Sequence, residues 1–183
     1  LDIHDNFALA DQFGRNFDGR DSVYENEYKI AVTLLYTTLG PIVTHGGSEI
    51  MRSKAHAPLR EEVRTTKAGY NAYMHGYRDT YNHRTANTFV WEQVGQKPTG
   101  TNFNDYDNMY KFWRGWNTFR KSEYGKVFRQ GEAVPEGYYK WFLPEPESAL
   151  GYLVDDKVLV LINAGHEPID FENVELPKGK WQL

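Results

Sequence analysis

Cysteine is absent from the 183 residues, which excludes disulfides, thiolate metal sites and cysteine nucleophiles. Long apolar runs are absent as well. No stretch approaches the roughly 20 residues that a membrane-crossing helix needs. Positive charge is not in excess: Lys plus Arg number 21 against 25 Asp plus Glu, a formal net charge of -4. With no basic run, that balance disfavours nucleic acid and anionic membrane as partners. Neither HExxH nor an EF-hand loop occurs, so no compact metal motif is present. There are no repeats and no low-complexity tract.

What is there is ordinary globular composition, 40% hydrophobic and 25% charged, at a length suited to one domain. Aromatics stand out at 15%, with 13 Tyr and 5 Trp. Flat rings with polar tips suit sugar faces, and they suit cores and protein interfaces too. The chain opens directly on Leu1-Asp2-Ile3-His4-Asp5, without an initiator Met. It is expected to be the downstream part of a longer polypeptide.

Residues 1–4 have the pattern of the end of a buried strand, and 5–25 that of a polar loop. Ile30, Ala31, Leu34, Leu35 and Thr38 recur at helical spacing from Glu25 to a stop at Gly40. Pro41-Ile42-Val43-Thr44 then predicts a short buried strand. Strand, helix, strand makes a βαβ unit with parallel strands. Residues 50–104 form a polar, Tyr-rich excursion, with a helix possible within 57–72. Asp105 or Asp107 caps the next helix, which carries Tyr106, Met109, Tyr110, Trp113 and Trp116 on one face and ends at Arg120-Lys121. After Gly125 the texture is β. Strands are expected at 126–129, 138–143, 149–154, 157–163 and 169–176, with a tight turn at Val154-Asp155-Asp156-Lys157.

His4-Asp5-Asn6 closes the first expected strand and His45-Gly46-Gly47-Ser48-Glu49 the second. In a parallel α/β sheet both ends emerge on one face, where sites form. The alternative is that these residues only satisfy loop backbone. A metal set of His4, Asp5, His45 and Glu49 is a further alternative, and a phosphate cradle at Gly46-Gly47-Ser48 a weaker one, since Glu49 repels an anion.

Taken together and in order, these segments resemble glycoside hydrolase family 13, the α-amylase family, and its pullulanase or debranching-type members most. Leu1-Asp2-Ile3-His4-Asp5-Asn6 resembles the end of barrel strand 7. Leu34 to Gly40, followed by Thr44-His45-Gly46-Gly47-Ser48-Glu49, resembles helix 7 and strand 8, with Gly46 in place of Ala and Ser48 in place of Gln. Thr80-Tyr81-Asn82, then Asn87 and Trp91, resembles the Ser-Tyr-Asn loop. Residues 105–121 resemble helix 8. Val158 to Asn163 and Leu176 to Trp181 resemble domain C.

The resemblance implies an α/β fold: the last two βα units of a (β/α)8 TIM barrel in residues 1–124, then an antiparallel β-sandwich, domain C, in 125–183. It implies part of a retaining hydrolase of starch or glycogen, whose nucleophile and acid/base lie on strands not in these residues. Asp5 would be the third, transition-state-stabilising carboxylate. His4, Tyr81, Asn82 and Asn87 would hold the sugar. No cofactor and no metal ligand is assigned. The expected partners are an α-glucan and either the missing N-terminal barrel portion or a second copy. Polymer degradation is compatible with a secreted, periplasmic or cell-surface location. The 183 residues alone are expected not to hydrolyse glycosidic bonds. The alternative is a non-catalytic carbohydrate-binding or assembly module using Tyr138, Tyr139 and Trp141.

Overall fold

A computed structural model describes residues 2, 3, 5, 7–17, 20–54, 81, 82, 84, 87–100, 103–145 and 147–183. The elements in chain order are α1 (Leu9–Gln12), β1 (Gly14–Phe17), β2 (Arg20–Val23), α2 (Glu25–Tyr36), α3 (Tyr106–Lys121), β3 (Tyr139–Phe142), β4 (Ala149–Val154) and β5 (Val158–Asn163). Single 3₁₀ turns occupy Ser48–Ile50, Trp91–Gln93 and Tyr124–Phe128. The chain divides into two compact units, Leu1–Tyr36 with Ile42–Asn117, and Thr37–Pro41 with Thr118–Leu183.

In the first unit, α2 forms because Glu25 and Glu27 suit its N-terminal turn, and because Tyr28, Ala31, Val32 and Tyr36 make one apolar stripe. The buried face is rotated from the expected one, leaving Leu34 exposed. The stripe meets Tyr106, Met109 and Trp113 of α3, together with Leu9, Ala10, Val23, Ile50 and Met51. Tyr36 packs edge-on to Trp113 (5.5 Å between ring centres) and stacks on Trp116 (5.9 Å). The tryptophan stripe of α3 therefore packs on a helix, α2. Asp105 caps α3, its Oδ1 accepting from the Asn108 amide at 2.8 Å. The Asp105 amide donates to Glu25 Oε1 at 2.7 Å, which ties the starts of α2 and α3 together. Asn104 Oδ1 accepts from the Val23 amide at 2.8 Å and secures the end of β2.

The second unit is built on one antiparallel sheet in the order β3-β4-β5. The expected strands at 138–143, 149–154 and 157–163 are these three. Asp155 and Asp156 both have positive φ (48° and 53°), the backbone of a tight hairpin turn, and the Lys157 amide donates to the Val154 carbonyl at 3.0 Å. Tyr152, Leu153, Val154, Val160 and Ile162 are buried with Val127 and Phe128. Arg120, also buried, donates to the carbonyls of Thr38 (3.0 Å), Gly40 and Phe128 (3.1 Å). Gly125 is required here: a Cβ would overlap the Phe119 carbonyl and the Arg120 main chain.

The expectation of two βα units of a TIM barrel followed by a β-sandwich is overturned. Among the described residues there are three α-helices, a two-strand hairpin and a three-strand sheet, and every strand pair is antiparallel. Residues 2, 3 and 5, and 41–45, form no strand. An extended segment becomes a strand only where a neighbour completes its ladder, and among the described residues neither segment has one. Without it Val43 is 78% exposed and Ile3 44%, where burial was expected. Residues 5–25, expected as loop, hold α1 and the β1–β2 hairpin. Among the described residues of the second unit, β3-β4-β5 is the one sheet. Residues 124–128 wind into a 3₁₀ turn, and 169–176 are irregular, with the Phe171 ring against Gly151. The helix expected within 57–72 lies outside the described residues, as do His4, Asn6, His56, His75 and His83.

Candidate functional site

Among its described residues the first unit buries four charged side chains: Asp2, Asp11, Arg52 and Lys54. Their placement starts with the loop between Gly46 and Arg52. Gly47 has φ 98°, and a Cβ there would lie 2.9 Å from Arg52 Cβ. Glycine is needed both for the backbone and for the approach of Arg52. The Gly47 carbonyl accepts from the amides of Ile50 (3.0 Å) and Arg52 (2.9 Å), closing the loop. Tyr28, fully buried on α2, donates its hydroxyl to the Ser48 carbonyl at 2.6 Å. Burial pushes the pKa of that phenol well above its ordinary value, so the hydroxyl stays a donor.

Two polar chains run from this loop. Ser48 Oγ lies 2.5 Å from Asp2 Oδ2 and 2.7 Å from the His45 carbonyl, one hydroxyl proton for two acceptors. Arg52 Nη2 stands 3.7 Å from Asp2 Oδ1, both side chains 2% exposed. Arg52 Nη1 donates to Asn87 Oδ1 at 3.3 Å, and Asn87 Nδ2 donates to the Tyr81 carbonyl at 3.3 Å. Asp2 Oδ1 and Arg52 Nε and Nη2 are buried without a hydrogen bond among the described residues. The second chain is centred on Asp11 of α1. It accepts from Ser53 Oγ and, at 2.8 Å, from the Lys54 amide. Burial raises the Asp11 pKa to about 6, and these hydrogen bonds and the Arg52 charge oppose the rise without cancelling it. Burial, with repulsion from Arg52, lowers that of Lys54, while Asp11, Asp2 and Asp5 pull it back up.

Of the residues named from sequence, Asp5 is half-buried and acts electrostatically on Lys54. Asn87 is half-buried on Arg52, and Tyr81 and Asn82 are exposed. The structure thus joins Asn87 and the Tyr81 main chain to Asp2 through Arg52. His4 lies outside the described residues. His45 and Glu49 turn to their own loop: His45 Nδ1 is 2.9 Å from the Gly46 carbonyl, and Glu49 Oε2 accepts from the Gly47 amide at 2.9 Å. Among the described residues no three His, Asp or Glu gather as a metal site. Of the rings named for the alternative reading, Tyr138 is buried and donates to the Val127 carbonyl at 2.7 Å. Trp141 is 55% exposed and stacks on Tyr139, with ring centres 5.5 Å apart.

Sequence reasoning did not single out Asp2, Asp11, Arg52 or Lys54. The available signal was a charged residue set directly against apolar neighbours, as in Leu1-Asp2-Ile3, Ala8-Leu9-Ala10-Asp11 and Ile50-Met51-Arg52. A buried charge needs a partner, so such positions anticipate a network. No family model, curated protein or solved structure matches the chain.

Proposed function

We propose that this chain binds α-glucan as a sugar-holding part of a retaining glycoside hydrolase system of the pullulanase or amylase type, and does not itself supply the nucleophile and the acid/base. The observation that carries the reading is the polar chain Asp2–Arg52–Asn87–Tyr81 in the first unit. It supports the resemblance from a direction the motifs did not supply. Sugar hydroxyls both donate and accept, so they suit the half-buried Asp5 and Asn87 and the exposed Tyr81 and Asn82, while the buried Asp2–Arg52 pair holds Asn87 from within. Hydrogen bonds to charged groups are roughly twice as strong as neutral ones, which favours Asp5 as the carboxylate that holds hydroxyls against a developing positive ring. His4, Tyr81, Asn82 and Asn87 complete the proposed contacts.

Calorimetric titration with maltoheptaose tests this. Binding is expected, and Asp5→Ala or Asn87→Ala should weaken it about tenfold or more, the worth of one hydrogen bond to a charged group. Wild-type affinity in both variants would overturn the assignment. Pullulan hydrolysis by the purified chain above an Asp5→Ala control would overturn the non-catalytic part. A second reading, a carbohydrate-binding or assembly module acting through the second unit, is favoured by the exposed Trp141 ring held against Tyr139. It is selected if Trp141→Ala abolishes maltoheptaose binding while Asn87→Ala does not.

A further inference from the structure

The second unit contains a groove of about 630 Å³ between the 3₁₀ turn at Tyr124–Phe128, the β4–β5 turn and the segment 177–181. Two kinds of group meet there. Tyr124 (65% exposed) and Trp181 (40% exposed) present ring surface to solvent. The Trp181 ring is oriented, because its Nε1 donates to the Pro177 carbonyl at 3.2 Å. The other groups are ionic. Lys126, Lys157, Lys178, Lys180, Glu123, Asp155 and Asp156 all line the groove.

Pairing decides the sign of its field. Lys157 Nζ is 2.5 Å from Asp155, and Lys140 Nζ is 2.6 Å from Asp156, so both turn carboxylates are neutralised locally. Lys126, Lys178 and Lys180 are left against Glu123 alone. The lining itself carries four lysines against three carboxylates, and with Lys140 pairing Asp156 from outside it the groove is positive by two charges in a chain whose net charge is -4. A positive concave surface in an acidic protein concentrates anions. Ring faces beside it select an anion that carries an apolar face, and a pyranose ring bearing a phosphate or a carboxylate has both.

We propose that this groove is a binding site for a small anionic sugar, with the lysine ammonium groups taking the charged substituent and Tyr124 and Trp181 taking the ring. The site is in a different unit from the polar cluster, and this reading stands whether or not the first unit binds glucan.

The test is a titration of the whole chain, followed by NMR, with glucose 6-phosphate, glucuronate, glucose and inorganic phosphate. Glucose 6-phosphate or glucuronate should shift the Trp181 indole signal, and whichever binds more tightly identifies the charged substituent. K178A/K180A, both exposed, should weaken binding about fivefold, within the range for exposed charge pairs. W181A should weaken it by a similar factor, the worth of a ring contact being about 0.5–1.5 kcal/mol. Raising the salt to 1 M, where the Debye length falls to about 3 Å, should weaken wild type more than K178A/K180A. Glucose binding as tightly as glucose 6-phosphate would overturn the charge selection. Inorganic phosphate binding as tightly as the sugar phosphate would overturn the role of the rings. No shift with any of the four would overturn the site.

Discussion

The two units bury charge in opposite ways. Among the described residues, the first holds two carboxylates and two cations inside and leaves Asp2 Oδ1 and two Arg52 nitrogens without hydrogen bonds. The second buries one cation, Arg120, and gives it three main-chain carbonyls. Carbonyls from a turn, a loop and a 3₁₀ segment lock local backbone, so Arg120 acts as a structural tie. A guanidinium held 3.7 Å from its carboxylate and 3.3 Å from an amide is a looser arrangement. Buried ion pairs add little net stability, because desolvation offsets their attraction, yet removing one partner leaves a costly unpaired charge.

The comparison breaks most visibly at Arg52. Arg52→Ala strands Asp2 in the interior, and the expected loss is about 3–5 kcal/mol, measured by urea unfolding. Replacing both partners, Asp2→Leu with Arg52→Met, should recover most of that loss. Failure of the double variant to recover would mean that the pair is not a mutual compensation. Gly125→Ala should be nearly as harmful to the second unit, about 3 kcal/mol, because the added methyl meets main chain rather than a mobile side chain. Amide exchange near Tyr152 and Leu153 reports it, and unchanged protection there would contradict the packing.

Acid should distinguish the units more gently. The Asp11 pKa is raised from 3.8 to about 6, so the folded state holds this proton more tightly than the unfolded state. The stabilisation is fully present below pH 4 and is lost as pH rises towards about 6, at most about 3 kcal/mol over that window. Other carboxylates work in the opposite direction, since Lys111 and Lys97 lower the pKa of the half-buried Asp107. The clean measurement is therefore the difference in stability between wild type and Asp11→Asn across pH 4–6. A difference that does not change with pH would remove Asp11 from the buried network. In the second unit, burial raises the pKa of Tyr139 to about 12, which places its titration far above that window. The smallest expected effect is at the cap of α3: Asp105→Ala should cost about 1 kcal/mol.

Legibility from sequence followed the range of the interactions. The cap at Asp105, the helix to Lys121, the turn at Asp155-Asp156 and strands β3, β4 and β5 all depend on residues within a few positions, and all were read correctly. The expected parallel strands do not form because Ile3 and Pro41-Ile42-Val43-Thr44 have strand-like side chains but, among the described residues, no neighbouring strand to pair with. The candidate site was legible only in part. Asn87 and Tyr81 were named from a motif, whereas the arginine that joins them to Asp2 was not, because contacts 35 and 50 residues apart in sequence leave no local periodicity.

Composition alone therefore determined the exclusions: no thiol chemistry and no long apolar run. Local spacing determined α3 and the β3-β4-β5 meander, since capping, helical period and turn backbone are properties of short segments. Only the tertiary structure decided that the Trp113 stripe packs on α2, that Asp2 and Arg52 meet in the interior, and that Tyr124 and Trp181 border one groove. Each of those depends on segments far apart in sequence. Which distant segments meet is settled by the packing of the whole apolar core and by the need to partner every charge it encloses.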